Sequence, residues 1–202
     1  MLRSITQKRK QGFSLIELML VVSVILILTA VSVPRLINTV NDISLRYAAS
    51  DLSGLLQTAR IQAVKKNTYY SLLLGATASG DTTYFLDIPK TGGYTNGDPM
   101  VPIRASVTVH QGTGSGAPNE ASFIAGLNFT VNPAADAPSF NARGLPCIAG
   151  VNSCPQTAGQ GFVIFMSKPG AMGGIPWAAV VVNASGHTQV WTSDANGTWI
   201  QR

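Results

Sequence analysis

The chain opens on a short polar stretch and continues with a long run of apolar residues. The run extends from Leu15 to Val33, and Glu17 is the one charged residue inside it. As a helix with a rise of about 1.5 Å per residue, the run would be about 28 Å long, close to the hydrocarbon thickness of a bilayer. The pattern therefore predicts a helix that can span a membrane, and Pro34 ends its purely apolar part.

Apolar positions continue beyond Pro34, but at helical spacing and with polar residues between them. This pattern predicts an amphipathic second half that packs on a globular head and ends near Asn67, for a helix of about 50 residues in total. Lys65 and Lys66 suit the negative end of the helix dipole. The predicted packing stripe consists of Ile37, Val40, Ala48, Leu52, Leu55, Ala59 and Ala63, widened by Leu36, Ile43 and Leu56.

After Asn67 the pattern changes to short apolar or alternating runs separated by Gly, Pro, Asn and Ser, which is typical of strands and turns. Residues 183–186, Asn-Ala-Ser-Gly, have the composition of a hairpin turn between the last two runs. Together these elements predict an antiparallel sheet wrapped on one long helix, an α+β architecture. The predicted strands are 69–74, 82–88, 101–110, 121–131, 161–167, 177–183 and 188–192.

The positive charge of the chain belongs mainly to its N-terminus. The 202 residues include 14 Lys plus Arg and 9 Asp plus Glu, a formal net charge of +5. Four of the basic residues precede the apolar run, which leaves 10 basic against 9 acidic residues, or +1, in the rest. Basic residues before a span orient the N-terminus toward the cytoplasm. Because 46% of the residues are hydrophobic and only 11% are charged, the composition excludes a disordered chain. The four basic residues that precede the apolar run are Arg3, Lys8, Arg9 and Lys10.

Two ordinary interpretations of the N-terminus leave Glu17 unexplained. A secretory signal peptide also joins a basic segment to an apolar one, and residues 30–32, Ala-Val-Ser, are small enough for a cleavage site. However, the apolar run is longer than the usual length of about 7–15 residues. A plain membrane anchor explains the length but not a carboxylate, which costs about 2.5–3.5 kcal/mol at the centre of a membrane helix. Such a residue is usually retained because it has a partner.

The start of the apolar run resembles the class III leader of type IV pilins and type II secretion pseudopilins. The resemblance rests on the basic leader, on Gly-Phe-Ser-Leu-Ile-Glu-Leu at 12–18, and on the long apolar run with Pro34. It implies that a membrane prepilin peptidase cuts between Gly12 and Phe13 and that Phe13 is N-methylated. It also implies that Glu17 pairs with the N-terminal amine of a neighbouring subunit and sets axial register. At Pro34 the family helix kinks or melts in a filament.

Two further segments resemble the GspH/FimT family of minor pilins and pseudopilins. They are 51–67, with an Ala-Arg step and a basic pair before Asn67, and 139–146, Ser-Phe-Asn-Ala-Arg-Gly-Leu-Pro. The resemblance implies a type IV pilin-like fold and a structural subunit of the bacterial inner membrane that later joins a filament. Other pilins, the prepilin peptidase and the assembly platform are the implied partners, and type IV pilus and type II secretion both stay open. The implied organisation is a removed leader 1–12, a membrane and filament-core helix 13–34, an amphipathic helix 35–67 and a β-rich head 68–202.

Cys147 and Cys154 enclose six residues in a loop that contains Gly, Asn and Ser. Because this loop is expected outside the cytoplasm, a disulfide is the expected state, worth about 2.5 kcal/mol by the chain-entropy estimate. A redox pair would usually have two intervening residues, and a zinc site needs more ligands. Both alternatives are therefore less favoured than a structural disulfide.

The chain offers little material for catalysis or for metal binding. His110 and His187 are expected at a strand end and beside a turn, and the sequence has no nucleophile elbow, metal-spaced His cluster or paired-acid motif. The glycine-rich segment 112–116 is interpreted as a flexible loop, because no helix pattern follows it. No enzymatic activity, cofactor, metal or small-molecule ligand is expected.

DNA binding is the alternative function, because some FimT-type relatives bind DNA through a Gly-Arg-x-Arg element. The matching turn at 186–189 is Gly-His-Thr-Gln, without either arginine. Phosphate binding depends on clustered Lys and Arg, and the remaining candidates are Arg60, Lys65 and Lys66. DNA is therefore not expected as a partner.

Overall fold

The computed structural model describes residues 14–77, 82–103, 106–132, 137–150, 153–155, 159–169, 175–194 and 196–202. A long helix, α1 (Leu15–Lys66), is followed by a head that contains a short helix, α2 (Glu120–Ala125). The strands in chain order are β1 (Tyr70–Ala76), β2 (Thr82–Leu86), β3 (Met100–Pro102), β4 (Thr108–Gln111), β5 (Thr130–Val131), β6 (Ser139–Phe140), β7 (Pro146–Cys147), β8 (Gln160–Ser167), β9 (Trp177–Val182), β10 (Thr188–Ser193) and β11 (Trp199–Gln201).

α1 has the length and the end that the sequence predicts. It is one helix of 52 residues, and Pro34 lies inside it. At its C-terminus Asn67 adopts the left-handed conformation with φ 50°, and its N–H donates to the carbonyl oxygen of Val64. The N–H of Thr68 donates to the carbonyl oxygen of Ala63, so two of the last carbonyl groups of the helix are satisfied.

The head contains two sheets where the sequence predicted one. The first has the strand order β3–β2–β1–β6–β7 and the second β11–β10–β9–β8–β4, and all these neighbours are antiparallel. Outside this order β5 pairs with β8 in parallel. A long apolar helix packed on antiparallel sheets is the predicted α+β, type IV pilin-like architecture, which is confirmed.

One face of α1 packs against both sheets and forms the main core. On the sheet side, alternate residues of β8 and β9 meet the helix, among them Ile164 and Val180. Alanines at four of the helix positions keep the backbone of α1 close to the strands, and the leucines between them supply most of the buried apolar area. The buried apolar residues of α1 are Leu45, Ala48, Ala49, Leu52, Leu55, Leu56, Ala59 and Ala63.

The predicted packing stripe is wrong at its N-terminal end. Leu36, Ile37, Val40 and Ile43 were expected in the core, but each is at least 43% exposed. At this level of α1 the contact between the helix and the described head is polar. Asn41 Nδ2 donates to the carbonyl oxygen of Pro169 at 3.2 Å. These four apolar side chains therefore continue the exposed surface of the apolar run.

β8 and β9 are buried on both faces, which explains their nearly continuous apolar sequences. The face turned away from α1 lies under α2 and the residues that follow it, around Phe165 and Val181. The strand predicted at 121–131 is wrong, since this segment forms α2, a turn and the two-residue β5. Phe123 and Leu127 both pack on this second core, and their spacing of four residues fits one helical turn.

The other strand predictions differ from the structure mainly in their boundaries. The predicted pair at 69–74 and 82–88 corresponds to β1 and β2, and the last three predicted strands correspond to β8, β9 and β10. The segment 101–110 is split, because β3 ends at Pro102 and β4 begins at Thr108. The short strands β6, β7 and β11 were not predicted.

Candidate assembly site

The first turn of α1 carries a single acidic side chain. Ser14 precedes the helix in an extended conformation, and its carbonyl oxygen accepts the N–H groups of Glu17 and Leu18 at 3.1 Å each. Glu17 is exposed and lies among the first backbone N–H groups of the helix, which form the positive end of its dipole. The predicted processing residues Gly12 and Phe13 lie outside the described residues, so their role and the pairing of Glu17 stay predictions.

From Leu15 to Val33 the helix exposes apolar side chains on all its sides. The large apolar residues in this stretch are at least 44% exposed, and α1 is the one candidate membrane span within the described ranges. The hydroxyl groups of Ser23 and Thr29 donate to backbone carbonyl oxygens four and three residues earlier, at 2.7 and 3.0 Å. A helix that is apolar all round, with these two hydroxyl groups bonded to its own backbone, suits a hydrocarbon environment or the interior of a helix bundle.

Pro34 marks the end of this apolar half without ending the helix. It lacks the N–H that would bond to the carbonyl oxygen of Ala30, so one backbone acceptor loses its helical partner. One turn later Thr39 Oγ1 donates to the carbonyl oxygen of Arg35 at 3.0 Å. A kink at Pro34 was predicted for the chain in a filament, and it stays a prediction.

The head is attached to α1 at the level where the helix leaves the apolar run. Besides the contact from Asn41, Lys168 Nζ donates to Ser44 Oγ at 3.3 Å. On the helix itself, Arg46 and Asp42 form an ion pair at 2.8 Å. Burial of α1 begins at Leu45. Between Val33 and Leu45, about three turns, the helix thus changes from an exposed apolar segment to an amphipathic one that packs on the head.

Arg60 attaches the head to the C-terminal half of α1. Its Nε donates to the carbonyl oxygen of Gly144 at 3.0 Å, and its second terminal nitrogen donates to that of Ser185 at 3.2 Å. Arg60 was one of three residues considered for a DNA-binding patch, but its guanidinium group is used inside the molecule. Lys65 and Lys66 are exposed at the end of the helix.

The predicted disulfide is present between Cys147 and Cys154, with Cα atoms 5.3 Å apart. Cys147 is buried at the end of β7, which is an edge strand of the first sheet. The bond therefore ties the chain that leaves this edge back to the sheet.

The glycine-rich loop at 112–116 holds a side chain of the protein itself. The N–H groups of Gly114 and Gly116 donate to the Glu120 carboxylate at 2.6 and 3.1 Å, and Ser115 Oγ donates to it at 2.8 Å. The donors that could have bound a phosphate are thus occupied, and the predicted absence of a following helix is wrong, because α2 begins at Glu120.

The two histidines belong to different parts of the head. The ring of His110 lies 5.4 Å from that of Trp177, and His187 is exposed beside the β9–β10 turn. Over the ranges that the structure describes, no group of three or more His, Cys, Asp or Glu side chains is placed to hold a metal ion.

Sequence reasoning missed the contacts that join distant segments. Arg60 was considered for a basic patch, and the segment directly after Glu120 was predicted as a strand. One signal was available: residues 141–144 and 183–186 are Asn-Ala-Arg-Gly and Asn-Ala-Ser-Gly, and both form the turns that Arg60 contacts. A repeated turn sequence indicates two hairpins of the same geometry, but it does not reveal what lies against them.

Comparison with known proteins identifies one segment of the chain. Residues 7–33 match the prokaryotic N-terminal methylation motif, which covers the end of the leader and the apolar run but not the head. No curated protein and no solved structure matches the chain. Together with the architecture of α1 and the sheets, the motif supports a type IV pilin-like protein that is anchored in a membrane through α1. Such a leader implies processing by a prepilin peptidase and assembly with other pilins, which suggests a structural role.

Proposed function

We propose that the chain is a minor pilin or pseudopilin of the GspH/FimT type that assembles into a type IV pilus or a type II secretion pseudopilus. The observation that carries this proposal is the methylation motif at 7–33, which includes the exposed apolar part of a long helix. The second half of the same helix packs on a β-rich head. The GspH/FimT assignment rests on the sequence resemblance at 51–67 and 139–146.

In this proposal the chain is processed before it assembles. The basic leader 1–12 keeps the N-terminus in the cytoplasm, and the peptidase cuts it from Phe13, whose new amine is then methylated. Residues 13–34 hold the subunit in the inner membrane, and 35–67 connect this anchor to the head 68–202 on the other side. Extraction into a filament would then transfer the apolar half of α1 from lipid to the neighbouring helices.

Glu17 is the residue proposed to set the register of assembly. Its carboxylate lies one turn from the proposed mature N-terminus, on a helix that is otherwise uncharged from Leu15 to Val33. An unpaired charge in this position is costly in lipid, and the methylated amine of a neighbouring Phe13 would supply the opposite charge. A buried pair of this kind specifies geometry more than it adds stability, because desolvation offsets much of the attraction.

A DNA-binding role has less support than a structural one. The turn at 186–189 lacks the arginines that DNA-binding relatives use, and Arg60 already donates to two carbonyl oxygens. Of the three basic candidates this leaves Lys65 and Lys66, and affinity for a phosphate backbone grows with the number of phosphates neutralised.

Replacement of Glu17 tests the proposal in cells that contain the companion pilins. Glu17→Gln keeps the shape of the side chain, so membrane insertion should be unchanged. Incorporation into sheared filaments should fall at least about tenfold, since loss of one partner of a buried pair costs several kcal/mol. Asp42→Asn, an acidic position on the same helix beyond the span, is the matched control and should assemble normally. Normal incorporation of Glu17→Gln would contradict the register role.

A further inference from the structure

Different elements cover the two faces of the second sheet. α1 covers one face, and the short helix α2 with the residues that follow it lies on the other. Phe123 of α2 is buried at the centre of this outer face, with its ring stacked on Trp199 at 4.5 Å and edge-on to Trp191 at 5.4 Å. Where α2 ends, both tryptophans remain partly exposed.

A groove of about 450 Å³ lies along these tryptophans, between α2 and the strands β10 and β11. We call it the aromatic groove. The residues that define it here are Asn119, Ser122, Phe123, Trp191, Thr198 and Trp199.

The indole N–H groups of the groove are already used inside the protein. Trp199 Nε1 donates to the carbonyl oxygen of Pro118 at 2.8 Å, and Trp191 Nε1 donates to Gln189 Oε1 at 3.4 Å. What the two tryptophans offer to a ligand is therefore the faces and edges of their rings. Such rings supply rigid apolar contact area at low cost in conformational entropy.

The rim of the groove is polar and uncharged. Ser122 and Thr198 are exposed, and within the described part of the chain their hydroxyl groups have no hydrogen-bond partner. Asn119 Nδ2 donates to the carbonyl oxygen of Gly197 at 2.9 Å, which leaves the amide oxygen as an acceptor. None of the described residues that line the groove carries a formal charge.

We propose that the aromatic groove binds a neutral oligosaccharide. A pyranose ring with equatorial hydroxyl groups presents an apolar face of C–H groups, which stacks on an aromatic ring, and a rim of hydroxyl groups that both donate and accept. Ser122 and Thr198 match that rim, because a hydroxyl group also donates and accepts. Apolar walls with a few polar groups at the edge are typical of small-ligand sites.

Two other ligands that stack on aromatic rings fit the groove less well. Single-stranded nucleic acid needs basic side chains that follow its phosphates, and the described lining has none. A proline-rich peptide also docks in aromatic grooves. It presents mainly carbonyl acceptors, however, which would use only the donor half of the rim hydroxyl groups, and both indole N–H groups that could donate to them are already bonded.

The groove also lies on the side of the sheet opposite to α1. If α1 lines the filament core, as the proposed function states, the groove faces outward and stays accessible after assembly. Binding by the free subunit does not depend on that arrangement. The proposal replaces the expectation from the sequence that the chain has no small-molecule ligand.

Titration with cellohexaose tests the proposal directly. The full chain is reconstituted in lipid nanodiscs, since detergents with sugar headgroups would compete for the groove. Two of the three tryptophans lie in the groove, so saturable changes in tryptophan emission are expected. Saturation transfer from the protein to the C–H protons of the sugar should accompany them. Ser122→Arg, which fills the groove from an exposed position, should weaken binding at least about tenfold, or about 1.4 kcal/mol.

Ala121→Arg is the matched control, because Ala121 is the exposed neighbour of Ser122 on α2 and does not line the groove. It should bind cellohexaose as the unmodified chain does. Trp191→Ala, checked for folding by circular dichroism, should also lose binding. Absence of saturable binding, unchanged binding by Ser122→Arg, or tighter binding of a proline-rich peptide or of single-stranded DNA would overturn the proposal. Since the assay uses the unassembled subunit, its failure is independent of the assembly test on Glu17.

Discussion

Arg60 connects the long helix to both sheets with a single guanidinium group. The two carbonyl oxygens it contacts belong to the β6–β7 and β9–β10 turns, in which Asn141 and Asn183 accept backbone N–H groups through their side chains. Gly144 and Gly186 have φ of 73° and 78°, and a Cβ on Gly186 would collide with the carbonyl oxygen of Gly144. The sequence identified the β9–β10 turn but not the contact of Arg60 with either turn, because contacts between residues so far apart in the chain leave no local pattern.

Loss of the Arg60 side chain should therefore destabilise the head. In Arg60→Met the two carbonyl oxygens lose a charged donor, and the free energy of unfolding should fall by about 2 kcal/mol. Denaturant unfolding followed by tryptophan emission measures this change. Lys65→Met, an exposed change five residues along the same helix, should stay within about 0.5 kcal/mol. Equal effects of the two variants would mean that the contacts of Arg60 contribute nothing.

Tyr84 is buried in the main core, and this burial has a consequence for the pH dependence of stability. Burial raises the pKa of Tyr84 above its usual value of about 10, and the hydrogen bond that Gln111 Nε2 donates to its oxygen at 3.0 Å partly opposes this shift. The folded state thus keeps a proton that the unfolded chain loses above about pH 10. The free energy of unfolding should consequently decrease as the pH rises beyond this value.

Tyr84→Phe removes this titration and should make the alkaline decrease in stability less steep. The comparison uses the free energy of unfolding of both chains between neutral pH and about pH 11, across the usual tyrosine pKa. Other groups titrate in this range, so the difference in slope between the two chains is the quantity of interest. Parallel curves above about pH 10 would show that Tyr84 ionises as easily in the folded state as in the unfolded one.

At the scale of elements, the sequence predicted those whose pattern is long or strongly apolar. The length of α1 was predicted from its composition and apolar spacing, and its end from Lys65, Lys66 and Asn67. The strands β8 and β9 were predicted from their apolar runs. α2 was mistaken for a strand, because a six-residue helix is too short for its periodicity to be distinguished from alternation. The two-residue strands β6 and β7 exist only through pairing with β1 and with each other, which is a long-range property.

The disulfide is attached to a short strand at the edge of the first sheet. β7 is two residues long and lies at an edge of its sheet. The double change Cys147→Ser and Cys154→Ser should lower the free energy of unfolding by about 2.5 kcal/mol, mainly through the unfolded state. Reducing agent should lower the stability of the unmodified chain by a similar amount and leave the double variant unchanged. An insensitive unmodified chain would indicate that the bond adds no stability.

At the scale of the whole molecule, α1 has two surfaces of different chemistry. From Leu45 onward one face is buried by the head, whereas the large apolar residues from Leu15 to Ile43 are exposed. A membrane or neighbouring helices must cover that second surface, because so large an apolar area does not persist in water. The sequence predicted this division, though not its boundary. The aromatic groove could not be predicted, since Phe123, Trp191 and Trp199 come together only in the folded head.

The mass of its N-terminus shows whether the chain is a processed, pilin-like subunit. Protein is recovered from membranes of cells that contain a prepilin peptidase, and its N-terminal peptide is measured by mass spectrometry. We predict a chain that lacks residues 1–12 and begins with N-methylated Phe13. A chain that still begins with Met1, or one cut after residues 30–32 as a secretory signal peptide would be, would contradict the account.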